Sequence, residues 1–477
     1  MTTRVGILIA GLGPTGLGAA WRLAGRGRQD WLAVEADAVA GGLAGSTVDA
    51  HGFTWDYGGH VQFSHYEYFD TLMDDLLGVD GWHRHDRESW VWVRGRFVPY
   101  PFQLNLHRLP EDDAIRAIAG LVHAARAGAA GLAAPADFGG WIDRAFGPGI
   151  AALFMRPYNA KVWARAPERM AWHWIGDRVA LVDLPRVVGN LRDDRDDVSW
   201  GPNNRFRFPV RGGTGAIWRA LADRLARTAP GRLAFGRRLV ALDTARRRAS
   251  FADGSVVEYE RLLSTIPLDE LTRLSDLGQT LGRALDDLEY SSTHVIGVGL
   301  TGRPPAALAT KCWMYFPEAD CPFYRVTHFS HYAPANVADP AAQWSLMAEV
   351  SESSHRPLRR PDVVGDTVEG MLATGLVATR DAVHHTWHRR LERGYPVPSL
   401  HRDRALAALL PAFEARGVWS RGRFGAWKYE VSNQDHSFAQ GVEAVDHWLD
   451  GTEEETLHHP DRVNSRRPPA PREAARG

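Results

Sequence analysis

V-G-I-L-I-A-G-L-G-P-T-G, from Val5 to Gly16, decides how this 477-residue chain folds. Val5–Ala10 is an apolar run of strand length, and it passes directly into a turn with glycines at 11, 13 and 16. Glycines at that spacing permit a tight turn, close approach of a phosphate to backbone, and close helix packing. The next residues read as a helix (Gly16–Ala24) and then a second strand (Trp31–Glu35), which completes a βαβ unit. A helix that starts at the turn aims its free N–H groups at an anion, and Glu35 stands where an acid accepts from a ribose hydroxyl. The stretch therefore predicts an α/β protein with a Rossmann-type dinucleotide site, in which Gly11, Gly13, Thr15, Gly16 and Glu35 contact the cofactor.

Three further segments select the dinucleotide. Glu35-Ala36-Asp37 leads into Gly41-Gly42-Leu43-Ala44-Gly45-Ser46, Leu263-Ser264-Thr265-Ile266-Pro267 follows much later, and Arg421–Asp446 closes the series. They resemble, in order, the second glycine turn, the strand end over the cofactor and the returning helix of the flavin branch of this fold. The resemblance implies FAD rather than resident NAD, and no separate nicotinamide fingerprint is found; NAD(P)H enters as an external reductant.

Composition narrows the partners. Fifty-six basic residues against 57 acidic ones give a net charge of −1, so no global field attracts nucleic acid or a membrane surface, and an anionic ligand must be met locally. Only Lys161, Lys311 and Lys428 are lysines. Two cysteines, Cys312 and Cys321, fit buried thiols in a reducing cytoplasm rather than a disulfide framework. No HExxH or Cys/His array points to a metal. The apolar run Val5–Ala10 is too short for a signal peptide, and no stretch approaches the roughly 20 apolar residues of a membrane helix. A cytoplasmic protein is expected, with its oligomeric state open.

Farther along, residues 108–190 are helical in character, as in Asp112–Ala134, and strands dominate from about 232. These are Arg238–Thr244 and Ala249–Tyr259 with a turn at Asp253-Gly254, then Thr293–Leu300 and Trp344–Val350. A last helix is expected at Gly441–Leu449, and the Glu-, Arg- and Pro-rich residues after Gly451 read as a disordered tail. V-P-Y-P-F-Q-L-N-L, 98–106, is a rigid exception: two prolines exclude a helix interior or central strand and present Tyr100, Phe102 and Gln103.

Arginine, asparagine and tyrosine gather in uncommon runs. They are M-R-P-Y-N-A-K-V-W (155–163), I-G-D-R-V-A (175–180), W-G-P-N-N-R-F-R-F-P (200–209), K-C-W-M-Y-F-P (311–317), F-Y-R-V-T-H-F-S-H-Y (323–332), R-G-Y-P (393–396) and A-W-K-Y-E (426–430). Arg and Tyr are suitable donors for a diphosphate in a chain without net positive charge. With W-D-Y-G-G-H-V-Q-F-S-H-Y (55–66) and V-P-Y-P-F-Q (98–103), these runs closely resemble the UDP-galactopyranose mutase family, in its fungal and protozoan branch, from about residue 5 to 450.

The resemblance implies roles for individual residues. Arg178 and Arg325 clamp the diphosphate, Tyr332, Tyr395 and Tyr429 donate to it, and Tyr100 stacks on uracil. Phe102 and Gln103 read the base edge near Asn159. Trp163, Asn203, Trp313 and Tyr315 surround ribose, diphosphate and sugar. His60 faces the isoalloxazine on a mobile loop after Gly59. Gly42, Leu43, Val240, Arg423, Asn433, Gln434 and Ser437 complete the cofactor set. Taken alone, each residue has a bland alternative: a single buried Tyr or Trp is usually core, and a single Arg is usually a solvated charge. Three positions depart from the family pattern: Gln62 in place of an apolar residue, Leu104 in place of a polar one, and Ala160 in place of a bulkier side chain.

The implied reaction interconverts UDP-galactopyranose and UDP-galactofuranose through an adduct of the sugar with reduced-flavin N5 and no net redox change. Loops around Arg178 and Asn203, hinged at Gly176 and Gly201, close over the substrate. The expected architecture is a discontinuous FAD-binding domain (1–90, 205–275, 415–450), a helical domain (107–200), an antiparallel-sheet substrate domain (91–106, 276–414) and the tail (451–477). The alternatives are the same mechanism on another nucleotide hexose, 6-deoxy or N-acetyl, and an amine-oxidase-type flavin oxidoreductase.

Overall fold

A computed structural model describes residues 2–129, 134–198, 201 and 204–466. The opening stretch forms the centre of a seven-stranded sheet. Thr2–Ala10 pairs in parallel with Trp31–Val34 on one side and Val256–Ser264 on the other. The apolar run is needed because both faces of this strand are covered: Leu8 and Ile9 are wholly buried, in clusters on opposite faces. Leu233–Ala234 extends one edge in parallel. The antiparallel hairpin Arg248–Phe251 to Val256–Ser264, with its turn at Asp253-Gly254, carries Leu239–Asp243 to the other edge. The predicted first helix spans Pro14–Gly25 and begins two residues earlier than expected, because proline suits the first position of a helix.

A second seven-stranded sheet has Glu289–Thr301 between Val383–Val397 and Gln343–Glu352, all antiparallel. It continues through Arg325–His328 and Trp313–Tyr315 to Ser89–Val93 and ends on Arg96–Pro99. The two prolines thus sit where the edge strand stops, and a short 3₁₀ turn, Phe102–Leu104, follows. A helical layer packs against the second sheet, sharing a core with Val91, Val93, Val98 and Tyr324. Glu111–Ala129 packs on Phe138–Ile150, which leads into Arg156–Trp163, around a core of Phe138, Ile142, Phe146 and Trp174. Residues 130–133 of the expected helix lie outside the described residues.

The C-terminal expectations need two corrections. The final helix is Gln434–Asp450, twice the expected length, because its polar first half is buried against the rest of the protein rather than exposed. Residues 451–466 are not a free tail: short helices at Glu455–His458 and Pro460–Asn464 bury Leu457 and Val463. The Glu454 carboxylate meets the wholly buried Arg421 guanidinium at 2.5 and 2.7 Å. A composition rich in charge reads as disorder unless its charges have buried partners, and here they do. Residues 467–477 lie outside the described residues. Among the described residues no helix is long and apolar enough to cross a membrane.

Candidate functional site

One cavity of about 910 Å³ runs from the glycine turn to the second sheet. At its first end, Gly11 has φ +104°, and a Cβ there would lie 2.0 Å from Thr265 Oγ1, so no side chain fits between the turn and the Leu263–Pro267 strand end. The helix Pro14–Gly25 begins here without a side-chain cap, and so does Gln434–Asp450. The two helices cross so closely that a Cβ on Gly441 would fall 1.9 Å from the Thr15 carbonyl. Their uncapped N-termini converge on the cavity through Gly13, Pro14 and Thr15 on one side and Asn433, Gln434 and Ser437 on the other. Free N–H groups and two dipoles make this end an anion site. Glu35 lines the same end, accepting from the Leu12 N–H at 2.7 Å and the Asp37 N–H at 3.0 Å; burial raises its carboxyl above the usual range despite these bonds. Gly42 and Leu43 join it. The donor set fits the pyrophosphate and ribose of FAD.

The middle of the cavity holds Gly59, His60 and Arg423. Enclosure pushes the His60 imidazole down to about 4, so it is neutral at pH 7, and its buried Nδ1 has no protein partner. Arg423 donates to the Gly394 carbonyl at 3.0 and 3.2 Å and to Ser432 Oγ at 2.8 Å, with Tyr395 and Tyr429 rings under its guanidinium. A rigid cation and an orphaned imidazole nitrogen between the helix N-termini and the second sheet are compatible with a polar ring system at that place.

The far end is built from tyrosines and arginines. Tyr315 stands 5.4 Å from Tyr100 and 5.2 Å from Tyr158, and its hydroxyl accepts from Trp313 Nε1 at 2.5 Å. Trp163 backs Tyr395 and Tyr429 at 5.6 and 4.7 Å. Burial raises the hydroxyls of Tyr315, Tyr332 and Tyr395 above the ordinary tyrosine value, so they are neutral donors. Arg325 lines the cavity and donates through Nε to Glu349, whose other oxygen accepts the Gly59 N–H at 3.3 Å. Burial pushes the Glu349 carboxyl up, but the Arg325 charge and hydrogen bond outweigh it and hold the carboxyl below its usual range. Arg178, in the turn Gly176–Arg178, donates to the Glu430 carbonyl and to Asn464 Oδ1. Gln103 donates from Nε2 to the Ala180 carbonyl at 2.5 Å, while its buried Oε1 has no protein partner. Asn159 lines the wall and donates to the Met155 carbonyl at 2.7 Å.

Most residues singled out in the sequence are thus gathered around one space, with four exceptions. Gly16 is outside the cavity wall and serves the turn itself, where a Cβ would fall 1.8 Å from the Gly11 carbonyl. Phe102 is wholly buried against Phe154, with ring centroids 5.1 Å apart, and is outside the cavity wall. The 3₁₀ turn directs it inward while Tyr100 and Gln103 face the cavity. Val240 is 42% exposed where the pairing register of its strand shifts between Leu239 and Ala241, which turns it outward; its neighbours Arg238 and Leu239 line the cavity instead. Asn203 lies outside the described residues. Of the departures, Gln62 lines the cavity beside His60, while Leu104 is core, its carbonyl accepting from Asn190 Nδ2. Ala160 is a half-buried position on Arg156–Trp163.

Sequence reasoning missed Glu349, Tyr158 and Tyr324, and the pair His65–Asp435, bonded at 2.7 Å, on the cavity wall. Glu349 carried a legible signal: it is the one acid within the apolar run Trp344–Val350, and a buried carboxylate needs a partner.

The family model for flavin-containing amine oxidoreductases matches residues 14–403. A crystal structure of reduced UDP-galactopyranose mutase superposes with a TM-score of 0.92 at 47% identity, covering 97% of this chain and 98% of that one. A protein assigned as a protoporphyrinogen oxidase from Exiguobacterium sp. 255-15 shares the fold at TM-score 0.68 and 16% identity, covering 94% and 98%. Putrescine oxidase bound to putrescine does so at 0.60 and 13%, covering 94% and 100%.

Proposed function

Because the chain belongs to the flavin-containing amine oxidoreductase family and to the UDP-galactopyranose mutase family, we propose that its cavity interconverts UDP-galactopyranose and UDP-galactofuranose with bound reduced FAD. The protein is an isomerase, and its cavity binds a nucleotide sugar. The observation that carries this reading is the cavity itself: a dinucleotide cradle opens directly into a tyrosine-lined chamber with two arginines, in a chain 47% identical to a mutase. The oxidases of this fold are 13–16% identical and speak for the fold alone.

Gly11, Gly13, Thr15, Glu35, Gly42, Leu43, Asn433, Gln434 and Ser437 would hold FAD, which when reduced supplies the nucleophile toward the anomeric carbon. The chain's own residues do the rest. Arg178 and Arg325 bind the diphosphate in bidentate fashion and stabilise the charge that collects on UDP as the anomeric bond breaks. Tyr332 and Tyr395, held neutral by burial, and Tyr429 add hydroxyl donors, which keep the departed UDP in place for the return step. Neutral His60 places an imidazole beside the reaction without adding a cation. Tyr100 offers a face for uracil, and the unpartnered Gln103 Oε1 is an acceptor suited to the base's imide N–H. Trp163 and Trp313 close the walls around the sugar and ribose, and Asn159 lies near the base edge. Residues 1–90, 205–275 and 415–450 carry the cofactor in this scheme, and 91–106 with 276–414 carry the substrate over a helical floor, 107–200. NAD(P)H would visit as reductant.

The test is anaerobic incubation of dithionite-reduced enzyme with UDP-galactopyranose and separation of products by chromatography. Formation of UDP-galactofuranose with no reductant consumed per turnover is expected. Net oxidation of the sugar, or turnover of a 6-deoxy or N-acetyl nucleotide hexose but not UDP-galactose, would refute the assignment.

A further inference from the structure

We infer that Asn464, on the segment beyond Gly451, positions Arg178 for the substrate diphosphate, so that the C-terminal segment forms part of the substrate site. The inference rests on the nucleotide-sugar reading above. Arg178 occupies a single 3₁₀ turn whose first residue, Gly176, has φ +47°, so local backbone structure does little to fix a long side chain. What fixes it comes from elsewhere in the chain. Arg178 Nη2 donates to Asn464 Oδ1 at 3.1 Å and to the Glu430 carbonyl. Asn464 itself lines the cavity.

The chemistry of this contact is specific. Asn464 Nδ2 donates to the Glu430 carbonyl at 3.0 Å and to the Pro460 carbonyl at 2.8 Å, which turns Oδ1 toward the guanidinium. An amide of this length can accept from an arginine and donate to two carbonyls at once; aspartate would set a carboxylate against both carbonyls, and leucine would satisfy none of the three. The platform is rigid. Glu430 is buried, and its carboxylate is held by Arg402 through bonds of 2.8 and 2.9 Å. The segment bearing Asn464 is anchored independently: Glu454 on Arg421, the Thr456 hydroxyl on Glu443 at 2.7 Å and Tyr66 at 2.7 Å, and the Leu457 carbonyl on Lys428 Nζ at 2.9 Å. Removing the Asn464 amide therefore leaves the segment docked by these anchors while withdrawing the acceptor under Arg178, together with the amide's own bonds to the Glu430 and Pro460 carbonyls. Pre-ordering the arginine removes rotamer freedom that ligand binding would otherwise have to remove.

The experiment is a double-mutant cycle on the FAD-loaded full chain, with UDP as probe. UDP affinity is measured by calorimetry for the wild type, Asn464→Leu, Arg178→Ala and the double variant, with bound-flavin absorbance and melting temperature recorded for each. Asn464→Leu is expected to weaken UDP by about 10- to 100-fold, the worth of one hydrogen bond to a charged group, with flavin content unchanged. In the Arg178→Ala background the same substitution is expected to do nothing further. Equal losses in both backgrounds, or a fall in flavin content with Asn464→Leu, would show a structural role and overturn the inference while leaving the nucleotide-sugar reading intact. UDP affinity unmoved by Asn464→Leu when Arg178→Ala weakens it would overturn the inference as well. No UDP binding by the wild type would remove the nucleotide-sugar reading and the inference together.

Discussion

Replacing Glu349 by glutamine tests the electrostatic design of the cavity. Glu349 is 3% exposed and is the partner of Arg325, whose side chain retains 21% of its exposure toward the cavity. Deleting one member of a fully buried pair costs about 3–5 kcal/mol, because the survivor is left as an uncompensated charge. The cavity admits water to Arg325, which moves the expected cost to about 2 kcal/mol, below that range. Glutamine preserves shape, so the loss is charge and not packing. In a chain of this size the melting temperature should fall by a few degrees in the absence of ligand. A diphosphate supplies the missing negative charge, so the deficit should vanish when UDP binds, and UDP affinity should rise by up to about 30-fold, the equivalent of 2 kcal/mol. Thermal melts of FAD-loaded protein with and without saturating UDP, together with calorimetry, read both quantities. The reasoning is refuted if Glu349→Gln melts like the wild type, or if it binds UDP more weakly.

Four further substitutions probe other parts of the molecule. Tyr100→Ala should weaken UDP by about 10- to 100-fold, the usual value of an aromatic platform under a base, with flavin absorbance unaltered; loss of flavin would mean that the segment is scaffold. Phe102→Ala should instead lower global stability by about 3–5 kcal/mol in denaturant titration, because Phe102 is wholly buried, and a selective loss of UDP with normal stability would contradict its place in the core. Gly11→Ala should yield protein without bound flavin, since its Cβ would meet Thr265 Oγ1 at 2.0 Å. The Glu443 carboxyl, pushed up to about 7 by burial, stays protonated in the folded state after the unfolded chain has released its proton near pH 4.3. Its contribution is therefore fully present below that pH and is lost as pH rises toward 7. Glu443→Gln should flatten the fall in melting temperature between pH 5 and 7, and an unchanged slope would count against this carboxyl as its source.

How far the site could be read in advance depended on the kind of residue. Tyr158 and Tyr324 stand inside runs already marked as unusual, yet nothing in a linear string separates them from Tyr315 or Tyr332 beside them. Glu349 announced itself as an acid in an apolar strand, but its partner, 24 positions earlier, is set by pairing of Arg325–His328 with Gln343–Glu352. Phe102 and Gln103 are adjacent in sequence, and the family resemblance implies one role for both. The 3₁₀ turn at 102–104 divides them, one to the core and one to the cavity.

The sequence alone determined the local features whose physics acts over a few residues. These are a strand–glycine turn–helix with an acid after it, a proline-terminated edge segment, and the density of arginine and tyrosine that a diphosphate requires. Those runs also carried the family resemblance, because several long uncommon strings in one order are specific. Tertiary structure alone decided which of those side chains face the same space. It opposed two helix N-termini from opposite ends of the chain, turned Val240 outward and Leu239 inward, and paired Arg325 with Glu349. It also brought Asn464 from a charged segment that composition reads as disorder to the side of Arg178. Burial and pairing depend on what the rest of the chain places nearby, and a charged residue has no fixed meaning until its partner is known.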